Sequence, residues 1–74
     1  MKDQKKLLHK CLIEDIPAFV ICGTDACAVN TLQSYYKIAQ TLGCNEQFLA
    51  DMKLVIDDFI AFQKEEPEKV KYPD

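Results

Sequence analysis

Apolar side chains recur at helical intervals over the second half of this chain. Phe48, Met52, Val55, Phe59 and Phe62 repeat at spacings of 4, 3, 4 and 3, with Leu49, Ile56 and Ile60 alongside. That is the stripe of an amphipathic helix, predicted over 46–64. Asn45 stands just before it as a capping residue, and Glu65, Glu66 and Pro67 end it. Upstream, Ala28, Leu32, Tyr35, Ala39 and Leu42 repeat at the same spacings, and Val29, Tyr36 and Ile38 broaden the surface. They predict a helix over 26–42, with Thr24 and Asp25 as N-cap types and Gly43 just past its end. Only Gly43, Cys44 and Asn45 join the two. Such a short link makes them antiparallel neighbours, an αα-hairpin over 26–64.

The first half reads differently. Within the basic N-terminal segment 1–13, a short helix is predicted over 3–13. Leu7, Leu8, Cys11 and Leu12 share one of its faces and lysines cover the other. Residues 16–22 end in Phe19-Val20-Ile21-Cys22 before Gly23, a β-branched and aromatic run that predicts a short strand, with Pro17 at its start. A single helical turn beginning at Pro17 is the rival reading. The tail, 67–74, alternates Val70 and Tyr72 with lysine, as a short extended segment would. The expected fold class is therefore α+β and mostly helical: an N-terminal helix, one strand, an αα-hairpin and an extended tail, all in one domain.

That pattern poses a physical problem. A lone strand has no stability and leaves its backbone groups unpaired. Two partners are conceivable, the tail near Val70 to Tyr72 or the same strand of a second copy across a two-fold axis. With 74 residues, the chain is also short enough to need a staple: disulfides, a metal or self-association. The apolar surface of the last helix exceeds what one hairpin covers. A homo-oligomer, dimer or larger, is the expectation, with Phe19, Val20, Ile21, Val70 and Tyr72 as interface residues.

Charge narrows the function. The net charge is −3, and all nine cations are lysine. Without arginine there is no planar fork for phosphate or guanine, so nucleic acid is not an expected partner. No apolar run approaches a membrane span. The opening resembles the basic start of a signal peptide, but His9, Lys10, Glu14 and Asp15 break the apolar stretch that would follow. A cytoplasmic protein is expected, with Cys11, Cys22, Cys27 and Cys44 reduced. They include no C-x-x-C pair and do not match zinc spacing. Small apolar packing residues is their ordinary reading. Cys27, near a helix start, is the one candidate nucleophile.

Enzyme constellations are nearly absent: no G-x-S-x-G, no phosphate-binding Walker loop, no H-E-x-x-H. Asp57 and Asp58 are adjacent and point about 100° apart on a helix, so they make no catalytic dyad. Asp51 and Asp58 can share a face, read as a solvated one. No cofactor and no metal is expected. The best-placed polar cluster is Gly23-Thr24-Asp25, where the predicted strand gives way to a helix and free amides can meet an anion. Asp25 as a cap competes for those amides. Tyr35 and Tyr36 can stack on a planar ligand or a partner, and Lys37 follows them; their helical spacing assigns at least one tyrosine to core packing instead.

Pro17-Ala18-Phe19-Val20, Asp25 shortly after it, the hairpin and the closing Lys71-Tyr72-Pro73-Asp74 together resemble short uncharacterised accessory proteins of bacteria and their phages. The resemblance covers roughly 16–74. It implies a phage or mobile-element accessory protein and carries over no activity and no functional residue. The resulting expectation is a non-enzymatic binding module that associates stoichiometrically with a protein partner, through apolar helix surface or the strand edge. The alternative is an anti-defence protein that sequesters a small anionic nucleotide signal in a pocket between subunits, near Thr24, Asp25, Tyr35, Tyr36 and Lys37. A cysteine-dependent enzyme using Cys27 is the third.

Overall fold

The structure, a computed structural model, describes residues 1–74. It contains three α-helices, α1 (Gln4–Ile13), α2 (Ala28–Thr41) and α3 (Glu46–Glu65), followed by one 3-10 turn, Pro67–Lys69. No helix is long and apolar enough to cross a membrane.

The expected α+β class is corrected: the chain is all-helical, with no strand and no sheet. Residues 16–22 run without regular structure, and no backbone group of residues 17–21 bonds to another backbone group. β-propensity measures fit to a half-buried pleated surface, and here nothing lies alongside to provide one. The tail does return to this region but meets the chain later. The Lys71 amide donates to the Thr24 carbonyl at 2.9 Å, and the Ala26 amide donates to the Lys71 carbonyl at 2.9 Å. This single parallel bridge pairs Asp25 with Lys71. The tail itself is not extended throughout, since Pro67 at the first position of a 3-10 turn fixes the φ that such a turn needs.

The helices end where side-chain chemistry stops them. Asp3 caps α1 by accepting from the Lys5 and Lys6 amides at 2.9 and 3.2 Å. Asp15 at its far end takes a left-handed φ of 56°, and the Ile16 amide reaches back to the Cys11 carbonyl at 2.9 Å, a Schellman closure. Gly43, with φ 75°, closes α2 the same way through Cys44 to Ala39 at 3.0 Å. Asn45 then caps α3 by accepting from the Phe48 amide at 2.7 Å, and Glu46 and Lys64 complement the helix dipole at its two ends. At the start of α2, Asp25 closes an Asx-turn on the Cys27 amide at 2.7 Å and its carbonyl accepts from Ala28 at 3.0 Å. That turn delays the helix from residue 26 to Ala28.

The core is the α2–α3 seam. Ala28 and Ala39 on α2 and Met52 and Ile56 on α3 are the four buried residues. Phe48, Leu49, Val55, Phe59 and Phe62 are half-buried around them. Two alanines on α2 let the thicker α3 side chains approach closely. α1 packs against neither α2 nor α3. Its base is held where the Met1 ammonium donates to the Asp51 carboxylate at 2.5 Å. The molecule is accordingly extended: its radius of gyration is 13.6 Å, against about 11 Å for a compact chain of this length.

Candidate functional site

The polar junction before α2 is held by a node of three chain segments: the loop itself, α3 and the tail. Gln63, half-buried on α3, sends its Nε2 to the Gly23 carbonyl at 3.0 Å and to the Asp25 carbonyl at 2.9 Å. The tail takes the intervening Thr24 carbonyl through the Lys71 amide. The three consecutive carbonyls of residues 23–25 are thus all satisfied, two by a helix and one by the tail. Gly23 also lies against Phe62: a Cβ there would come within 3.1 Å of the Phe62 ring. The absence of a side chain lets the loop sit on α3, which is what brings its carbonyls within reach of Gln63.

Above this node lies an open cleft of about 470 Å³, lined in part by Val20, Cys22, Thr24, Asp25, Lys71 and Tyr72. Of the residues singled out in the sequence, Val20, Thr24, Asp25 and Tyr72 come together here. Phe19, Val20 and Tyr72 are 84, 63 and 87 % exposed, whereas Ile21 and Val70 are half-buried. Tyr35, Tyr36 and Lys37 do not line this cleft. They lie seven to nine residues beyond the start of α2, about 10–14 Å along its axis. Tyr35 tilts against Phe48 with ring centroids 6.3 Å apart. Tyr36 is half-buried, with the Lys53 ammonium 5.8 Å from its ring centre. Within one chain the five ligand candidates therefore fall into two separate groups.

The amides that were to meet an anion are engaged. Ala26 donates to Lys71, Cys27 to the Asp25 carboxylate and Ala28 to the Asp25 carbonyl. Neither Thr24 nor Asp25 is the N-cap expected for this helix: α2 begins after Cys27, which makes no side-chain cap bond, and Asp25 closes the Asx-turn ahead of it.

The four cysteines are free thiols, Cys11 half-buried and Cys22, Cys27 and Cys44 exposed, so three of them do not serve as core packing residues. No three His, Cys, Asp or Glu side chains converge as a metal site. No buried side-chain nitrogen or oxygen lacks a hydrogen-bond partner. Two carboxyl groups are held below their usual range. For Asp51 the first cause is the hydrogen bond from the N-terminal ammonium, then that from Gln47. For Glu68 it is a backbone hydrogen bond, then one from Glu66. Asp51 belongs to the surface pairing with Met1 and Gln47, and Glu68 to the 3-10 turn after α3.

Sequence reasoning missed Gln63 and the role of Lys71. Gln63 had a signal: it continues the apolar stripe from Met52, Ile56 and Phe59, and a polar side chain on a packing face needs a partner. Lys71 had none, because its contribution is made by its backbone. No protein-family model matches the chain, and neither a curated protein nor a solved structure matches it.

Proposed function

We propose that this chain is a small, self-associating, non-enzymatic binding module that engages a protein partner stoichiometrically through the segment 17–21 and the tail beside it. The observation that carries this reading is the exposure of Phe19, Val20 and Tyr72 next to a run of backbone with no bonding partner in the chain. Exposed backbone donors and acceptors flanked by apolar side chains offer a bound segment both hydrogen bonds and pockets. Tyr72 and Val20 line the cleft, and exposed apolar side chains grouped in this way mark association surfaces. A cytoplasmic phage or mobile-element accessory role accords with the sequence resemblance at Pro17–Val20 and Lys71–Asp74.

The test is to recover complexes formed in host cells by the wild-type chain and by a Phe19→Asp, Tyr72→Asp double variant. The expected result is one partner in a whole-number ratio with the wild type. It is lost with the double variant while helix content stays unchanged, since neither side chain is packed. A partner captured equally by both forms overturns the assignment of the surface. A turnover activity abolished by Cys27→Ser, with the fold intact, overturns the non-enzymatic reading.

A further inference from the structure

The chain exposes 6153 Å². A compact protein of 8.5 kDa exposes about 4,650 Å². The excess is about 1,500 Å² per chain, against the ~800 Å² per partner of a standard interface and the larger areas of obligate homodimers. Part of the excess lies along α1. α1 is pinned at its base, where Met1 meets Asp51, and then leaves the hairpin without packing on it. Exposure rises along it, from 39 and 37 % at Leu7 and Leu8 to 72 and 71 % at Leu12 and Ile13. A helix of ten residues is marginal in water by itself, so its apolar tip needs cover.

The same chain carries a matching vacancy. At the end of α2, Ile38 and the C-cap residue Leu42 stand four positions apart and are 59 and 77 % exposed, beside the face that packs on α3. One chain thus bears both halves of an isologous contact, which a two-fold axis satisfies twice.

We infer that two copies exchange their α1 arms, the Leu12–Ile13 tip of each covering Ile38 and Leu42 of the other. This rests on the self-association in the reading above, and names its surfaces. The arm contact uses none of the residues assigned to the partner surface at 17–21 and Tyr72.

Complementation tests the exchange. Wild type, Leu12→Asp and Ile38→Asp are run separately and as an equal mixture of the two variants, from about 1 to 200 µM, by light scattering on a sizing column. Circular dichroism follows helix content in parallel. Wild type is expected at twice the chain mass of 8.5 kDa and each variant alone at the chain mass. The mixture is expected to form dimer at the upper concentrations, because one of the two contacts is restored: the intact arm of the Ile38→Asp chain meets the intact surface of the Leu12→Asp chain. Both substituted residues are exposed, so the hairpin keeps its helix content. Variants that remain dimeric, or a mixture that stays monomeric, overturn the arm exchange while leaving self-association through another face intact. A helical wild-type monomer at 200 µM overturns the exchange and the self-association together.

Discussion

Replacing Gln63 by Met removes the clamp under the cleft and nothing else of comparable size. The two side chains have similar length and helix propensity, so the change isolates the amide. Gln63 makes two hydrogen bonds, 3.0 Å to Gly23 and 2.9 Å to Asp25. Each such bond contributes about 0.5–1.5 kcal/mol net, which places the pair at about 1–3 kcal/mol. The site is half-buried, so water can partly replace the lost donor, and the lower half of that range applies. A loss of ~1.5 kcal/mol lowers the midpoint of a chain this size by about 6–12 °C. Thermal unfolding followed at the helix band measures it, with Gln33→Met, at an exposed position of α2, as the control for composition. Amide exchange adds a local readout: the Lys71 and Ala26 amides, bonded across the same loop, should lose protection in the Gln63 variant and keep it in the control. A midpoint within about 2 °C of the control, with those amides still protected, would refute the claim that α3 holds the loop through Gln63.

Gly43→Ala is expected to cost about 1–2 kcal/mol, the penalty of an L side chain in left-handed backbone. The cost is conformational, since nothing lies within 4 Å of a Cβ there; Gly43→Asn, which tolerates that region, should cost less by denaturant titration. Asp51 is depressed in the folded chain, first by the N-terminal ammonium and then by Gln47. Its contribution is therefore present above the ordinary carboxylate range and is lost as the pH falls through the folded value, below about 4. Acid titration of the unfolding midpoint should fall less steeply below pH 4 in Asp51→Asn than in wild type, and parallel curves would remove the interaction from the stability of the fold. A thiol reagent should modify Cys22, Cys27 and Cys44 before Cys11, following their exposure; mass spectrometry of peptides from a time course gives the order.

The α2–α3 hairpin is legible in the sequence because its cause is local. Apolar spacing sets the packing face, Asn45 and Gly43 supply a cap and a left-handed turn, and a three-residue link leaves no topology but antiparallel. The candidate cleft is only partly legible. Thr24 and Asp25 announce a helix start by residue type, yet their junction with Val20 and Tyr72 depends on a tail that folds back across about 45 positions of sequence.

Residues 16–22 mark the boundary between the two kinds of knowledge. Their composition is that of a strand, but a strand is a relation between segments, and its formation is decided by whether backbone comes alongside. The tail returns to residues 24–26, drawn there by the turn at Pro67–Lys69, and leaves 17–21 unpaired. What the sequence by itself determined is the period, the caps and the breaks of its helices, each a matter of neighbours within a few residues. The tertiary structure alone decided which carbonyls Gln63 would hold, that α1 would stand clear of the hairpin, and that Phe19 would face solvent. Those outcomes depend on distances between segments remote in the chain, which no local pattern encodes.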